Sequence, residues 1–340
     1  MIELDGSLLE GGGSLVRIAV AMSAISRKPV KIYNIRGKRP NPGLKSQHLN
    51  AIAAVAELCN ARVEGLKLNS REIEFYPGDE IVGKNLRIDV GTAGATTLIL
   101  QAVTPVAAFA NAPVNLELIG GTDVPFSAPV DYYKNVLVRL FQKFNLNMKL
   151  EVVRRGFYPR GGGMIKVSYT PVEIKDIKPV ELLERGNLLK LYGISFASSE
   201  LSRGKVAERQ ALSAKQLLVE KFRKDVEIFE EYKLSRSPGS GIVLWAEFSN
   251  TVLGADALGE LGKLAERVGR EAAEELVREV ELGACVDKHA ADNLIPFMAI
   301  AGKGAIKTSE VTLHTRTNIW VCEQFFQGKF KIEGSVIRYS

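Results

Sequence analysis

The chain has 340 residues, 46% of them hydrophobic and 25% charged, with a formal net charge of +6. This composition excludes a disordered or low-complexity chain and is enough to bury a large core, most naturally as two domains, while the mild positive balance suits an anionic partner. Cys59, Cys285 and Cys322 are scattered without C-x-x-C spacing, which argues against a disulfide framework or a zinc site and for a reduced, cytoplasmic setting.

The start, MIELDGSLLEGGG, has neither the basic nor the apolar region of a signal peptide. Residues 2–4 read as a short strand, followed by Glu10-Gly11-Gly12-Gly13 and a helical run over 14–25. A second strand is expected at 29–35. The stretch that follows, NIRGKRPNPGLKSQHL, holds Arg36, Lys38 and Arg39 beside two prolines and two glycines. Asn41 and Pro42 read as the cap and first position of the next helix, so cations and free backbone N–H groups would converge there and suit phosphate; an ordinary solvated loop is the alternative. Helical spacing continues through Leu49, Ile52, Val55, Ala56 and Cys59, and alternation at 62–67 and 71–75 around Leu68-Asn69-Ser70 predicts a hairpin.

The same order then returns. A strand at 86–90 leads to Gly91-Thr92-Ala93-Gly94, a helix from Ala95, a strand at 113–119, a loop at 120–129, a helix from Val130 and closing strands at 148–153 and 164–169. The apolar run at 96–112 contains Gln101, Thr104 and Pro105 and reads as a buried helix, so no membrane partner is expected. Pro113 lies 84 positions after Pro29. A third copy follows, with a helix at 292–301, a strand at 305–313, the loop His314-Thr315-Arg316-Thr317, a helix at 318–326 and strands at 330–332 and 336–339.

Ala305 lies 192 positions after Pro113, about 108 more than one further repeat, which implies an insertion. It has strand-like runs at 188–196 and 242–248, a helix at 205–221 and a long helix at 257–280. The expected fold is α/β (α+β): three βαβαββ units share a core in one domain, 1–184 plus 282–340, and a smaller α/β domain occupies 185–281.

Few residues stand out as chemistry. Arg17 is the lone charge in an apolar helical run and sits in its first turn, where a cation opposes the helix dipole; a bound anion or a carboxylate partner, Glu10 being the nearest, explains it, as would a snorkelling side chain. Glu10 offers a hard oxygen to a divalent ion. The glycine run is no dinucleotide fingerprint, and no G-x-x-x-x-G-K-[ST] loop occurs. Only His48, His289 and His314 are available as imidazoles, none with metal-ligand spacing. His314 follows a strand and precedes a helix with Arg316 close by, a setting that suits a nucleophile toward phosphorus.

Together these motifs resemble the RNA 3'-terminal phosphate cyclase family. The likeness is carried by Leu4-Asp5-Gly6, Glu10-Gly11-Gly12-Gly13 and Arg17, then Ile35-Arg36, Arg39, Pro42-Gly43-Leu44 and Gln47-His48-Leu49. It continues through Gly91-Thr92-Ala93-Gly94 with Gln101, Gly120-Gly121-Thr122-Asp123, Gly156-Phe157-Tyr158-Pro159 with Gly161-Gly162-Gly163, Ala291-Asp292, and His314 with Thr317-Asn318, nearly the whole chain. The resemblance implies a threefold repeated α/β fold with one insertion. It also implies ATP-dependent conversion of an RNA 3'-terminal phosphate to a 2',3'-cyclic phosphodiester, through AMP carried on His314.

By the same resemblance Glu10 binds Mg2+ or Mn2+. Arg17, Arg36, Arg39, Gln47 and His48 handle phosphates of ATP or the RNA end; Gln101 and the segment His289, Ala290, Ala291, Asp292 and Asn293 contact ATP; Asp292 orients His314. Two positions depart from the family: Asp292-Asn293 stands where Asp-Gln is common, and His289 where bacterial members carry Tyr, which makes His289 the rival nucleophile. A non-catalytic RNA-binding relative acting in ribosome assembly is the alternative, against which His314 argues. An enolpyruvyl transferase would need two domains of three units each, and a generic nucleic-acid binder would be expected to bring an aromatic-rich motif.

Overall fold

A computed structural model describes residues 1–340. The chain opens with β1 (Ile2–Asp5), α1 (Gly13–Ser26), β2 (Val30–Tyr33), α2 (Ser46–Leu58), β3 (Arg62–Glu64) and β4 (Ile73–Tyr76). These strands form one sheet in the order β1-β2-β4-β3, parallel at its first pair and antiparallel thereafter. Next come β5 (Asn85–Asp89), α3 (Thr96–Ala107), β6 (Val114–Gly120), a helix, β7 (Asn147–Arg154) and β8 (Gly163–Thr170). That helix is α4 (Val130–Tyr132) and α5 (Val138–Lys143) joined by a π-helical stretch, Tyr133–Leu137. The second sheet runs β5-β6-β8-β7, the same order.

A two-residue strand, β9 (Glu181–Leu182), precedes β10 (Leu188–Ser198), α6 (Val206–Phe222), β11 (Val226–Lys233), β12 (Ser240–Phe248), β13 (Val252–Leu258) and α7 (Ala265–Glu281). The chain ends with α8 (Lys288–Ile300), β14 (Gly304–Lys307), α9 (Leu313–Phe325), β15 (Phe330–Glu333) and β16 (Val336–Tyr339). Here β9 pairs in parallel with β14 in a sheet of order β9-β14-β16-β15, again the same. β10 to β13 form a fourth sheet, β11-β10-β12-β13, packed against α6 and α7.

The helices α1, α3 and α8 carry the centre. Residues 14–25 of α1 are all buried, as an all-round apolar helix must be. It packs on α2, α3 and α9, and α8 packs on α3 and α9. One cluster of 75 buried apolar side chains runs through the three like-ordered sheets and their helices and takes in Phe196, Val243, Trp245 and Val252 from one face of the fourth sheet; a separate cluster of 17 fills the other face of that sheet against α6 and α7.

Several expected boundaries move. Helix α2 starts at Ser46 instead of Pro42, because Gly43 N–H is bonded to Ile35 O and Leu44 N–H to Ser70 O, which commits that backbone to the sheet side. The single helix expected at 257–280 is β13, a turn and α7; Gly262, at φ +82°, permits the turn. Strand β11, whose sequence VEIFEEYK carries four charges, was not expected; it is an edge strand, so part of it remains solvated. The strand expected at 305–313 ends at Lys307, and the expected loop at His314 is helical: α9 begins at Leu313, with the Thr312 hydroxyl accepting from Thr315 N–H.

Candidate active site

The repeat spacing reappears as a chain of hydrogen bonds. Arg17 on α1 donates from Nε to Gln101 Oε1 on α3 at 2.8 Å, and Gln101 Nε2 donates to Asn293 Oδ1 on α8 at 3.4 Å. These residues are 84 and 192 positions apart, so they occupy one register on the three central helices. Arg17 is only 5% exposed; burial lowers its pKa to about 10, Asp292 opposing the shift and Arg36 adding to it. The Asp292 carboxyl is pushed up to about 7 by burial, drawn back by Arg17 and raised further by Asp287. Its Oδ1 accepts from the Asn293 amide at 2.5 Å, and it makes no hydrogen bond to His314.

One turn toward the N-terminus, α1 starts at Gly13 without a side-chain cap. A Cβ on Gly13 would stand 2.2 Å from His48 Nε2 and 2.8 Å from an Arg17 Nη, so glycine lets both side chains reach the helix start. His48, buried on α2, accepts from Lys45 N–H at Nδ1. Its pKa is held well below the ordinary histidine value by burial, then by Arg17, Arg36 and Lys45. A neutral ring that accepts at Nδ1 carries its proton on Nε2, facing Gly13.

The basic loop folds back over this place. Lys38 Nζ donates to Leu9 O at 2.9 Å, and Arg39 forms an ion pair with Glu10. Glu10 Oε2 is buried and has no hydrogen-bond partner. Arg36 behaves differently, its Nη1 donating to Asn41 O at 2.7 Å and Gly43 O at 2.9 Å, which shapes the loop from within. Gln47 Oε1 accepts from Ala95 N–H at 3.3 Å and so ties α2 to the start of α3.

From the other side come α8 and α9. The Thr317 hydroxyl on α9 accepts from Glu10 N–H at 3.3 Å, and Asn318 accepts from Ser14 Oγ at 2.9 Å while donating to Asp292 O at 2.8 Å. These bonds lock α9 against α1 and α8. His314, in the first turn of α9, is exposed and its ring makes no hydrogen bond. Burial of part of the ring, then Arg17, Arg39 and His289, lower its pKa, so the imidazole is neutral at neutral pH. His289 is exposed in the first turn of α8, and Ala290 and Ala291 are buried behind it. Three arginines and two neutral histidines therefore face two carboxylates, an arrangement suited to a polyanion with a nucleophilic nitrogen beside it.

The model of the RNA 3'-terminal phosphate cyclase family matches residues 8–332. Among similar chains, an RNA 3'-terminal phosphate cyclase of Pyrococcus furiosus is 48% identical over 337 residues, which is 99% of this chain and 96% of that protein. Those of Thermococcus kodakarensis, 48% identical, and Methanopyrus kandleri, 47% identical, each cover 98% of this chain and 95% and 96% of their own lengths. The chain belongs to the RNA 3'-terminal phosphate cyclase family.

In this cyclase-family chain the structure also adds a residue that the sequence did not point to. Asp287, 1% exposed, caps α8 by accepting from His289 N–H at 3.1 Å and Ala290 N–H at 2.9 Å; it also accepts from the Tyr132 hydroxyl at 2.5 Å and Gly254 N–H at 3.0 Å. One carboxylate thus sets the segment from His289 to Asn293 against α4 and β13. An Asp immediately before a helix is the sequence signal that would have found it.

Proposed function

We infer that this chain uses ATP to convert an RNA 3'-terminal phosphate to a 2',3'-cyclic phosphodiester, with His314 as the nucleophile. The observation that carries the reading is the exposed, neutral His314 ring under the influence of Arg17 and Arg39, in a chain of the cyclase family. Its nitrogen lone pair attacks the α-phosphorus of ATP, the N–P bond forms, and the bond to pyrophosphate breaks. An oxygen of the RNA 3'-phosphate then attacks that phosphorus, returns the electron pair to the ring and takes AMP. The neighbouring 2'-hydroxyl loses its proton, attacks the terminal RNA phosphorus and expels AMP. Arg17, Arg39 and the Nε2–H of His48 stabilise charge on the phosphates, while Arg36 and Gln47 hold the loops that present them.

Glu10 fits a divalent cation, since its Oε2 is buried without a partner. No group of three His, Cys, Asp or Glu surrounds it, so phosphate oxygens and water would complete the shell of Mg2+ or Mn2+. Such an ion supplies charge neutralisation at the triphosphate. Gln101 and the segment His289, Ala290, Ala291, Asp292 and Asn293 are assigned to ATP, a reading that the exposure of His289 supports. The division of the chain into 1–184 plus 282–340 and 185–281 is part of the same reading, supported by the separate apolar cluster of the fourth sheet. No helix is long and apolar enough to cross a membrane, and we assign the chain to the cytoplasm.

The deciding experiment uses ATP labelled at the α-phosphate with magnesium or manganese. Wild type is expected to retain acid-labile label after denaturation, and His314→Ala to retain about a thousandth or less while unfolding at the same temperature. Label that persists in His314→Ala and is lost in His289→Ala would transfer the nucleophile to His289; no label at all on folded wild type would favour the RNA-binding reading.

A further inference from the structure

The Gly156-Phe157-Tyr158-Pro159 motif with its following glycines plays no part in the chemistry above, and the loop after β6 holds the least protected aromatic ring in the chain. Phe126 is fully exposed at 101% and adopts φ +66°, a left-handed conformation unusual for a bulky residue. Tyr158 is 69% exposed. The two loops are zipped together, with Thr122 N–H donating to Gly156 O at 2.9 Å and Gly156 N–H to Thr122 Oγ1 at 2.8 Å. They are anchored to the site. The Thr97 hydroxyl donates to Ala128 O at 2.9 Å, and Thr97 occupies on α3 the register that Gly13 holds on α1 and His289 on α8. A Cβ on Gly161 would lie 2.7 Å from Ala93 Cα, and the next turn, at Ala95, is held by Gln47.

Cations stand on the same rim. Arg160 is exposed next to Tyr158, and the exposed Arg236 lies over Gly162, whose Cβ would meet its side chain at 2.5 Å. Two solvent-facing rings on loops zipped together and continuous with a phosphate site, with guanidinium groups beside the loop that carries Tyr158, match what a single strand needs: π-faces for bases and positive charge for the backbone. We propose that Phe126 and Tyr158, with Arg160 and Arg236, form a stacking surface for the nucleotides of single-stranded RNA that lie 5' of the reacting end. This rests on the functional reading above for the identity of that end.

The test compares a 3'-phosphorylated single-stranded RNA 10-mer with a 3'-phosphorylated dinucleotide too short to reach both rings. Phe126→Ala with Tyr158→Ala is expected to weaken binding of the 10-mer, read by fluorescence anisotropy, by about tenfold or more, with cyclisation of the dinucleotide and labelling by ATP unchanged. Phe126→Trp, which keeps a π-face, is expected to retain wild-type binding. The proposal is overturned if the double variant binds the 10-mer as wild type does, or if it loses the dinucleotide equally. Aromatic-dependent binding of the 10-mer by a wild type that cyclises nothing would uphold this surface while sinking the cyclase reading.

Discussion

Two corners of the molecule collect charge, and they resolve it in opposite ways. At the corner beside β7, the buried Arg155 faces Asp123 at 3.0 Å, Asp131 at 2.5 Å and Glu231 at 2.9 Å, and its guanidinium lies 3.9 Å from the Phe196 ring centroid. Burial alone would lower its pKa, but the three carboxylates outweigh that and hold it firmly protonated. In the candidate site the balance is reversed: Arg17, Arg36 and Arg39 stand against Glu10 and Asp292, beside the neutral rings of His48 and His314. The first corner spends its one guanidinium on three carboxylates and so joins β11 to the second sheet. The second is short of negative charge, and a polyanionic substrate is what would complete it.

The contrast breaks most sharply at Arg155. Arg155→Met leaves Asp123 and Asp131 buried without a counter-charge and is expected to cost about 3–5 kcal/mol, read as a lowered denaturant midpoint. His314→Ala, at an exposed ring, should leave that midpoint where it is. Next in size is Gly13→Ala. Its methyl meets the buried ring of His48, held at Nδ1 by Lys45 N–H, and the buried Arg17 guanidinium, held by Gln101, so stability should fall by about 1–3 kcal/mol, and displacing those groups by about an ångström should reduce labelling by ATP about 10- to 100-fold.

The smallest effect is in the pH profile. A lowered His314 pKa keeps the ring neutral to below pH 6.5, so the acidic limb of labelling should fall below that value. Arg39→Ala removes one of the cations that depress it and should move the limb upward. A limb that does not move would mean that His314 does not sense the charge-rich corner.

The site was legible in the sequence to the degree that the repeat was. Arg17, Gln101 and Asn293 fall at the repeat spacing, and the three central helices bring them into contact. Apolar periodicity found α1, α3 and α8 because each must bury most of its surface. It missed β9, which is too short for any pattern, and β11, whose charges fit a solvated edge. The helix start at Ser46 escaped local reading because tertiary hydrogen bonds from Gly43 and Leu44 overrule the local preference of Asn41-Pro42. Asp287 was missed for a related reason: its partners Tyr132 and Gly254 are 155 and 33 positions away.

The parallel pairing of Glu181 with Ala305 closes a loop of 124 positions, with four strands and three α-helices between its ends. Loop-closure entropy grows slowly with length, so the equilibrium penalty is modest, but a pairing of such high contact order is slow to form. During synthesis the sheet holding β14 cannot be completed until the last strands emerge, and α9 reaches its final neighbours at the same stage. The histidine assigned to AMP would therefore be among the last side chains to reach its working position, so recovery of ATP labelling on refolding should lag behind recovery of the first sheet's amide protection.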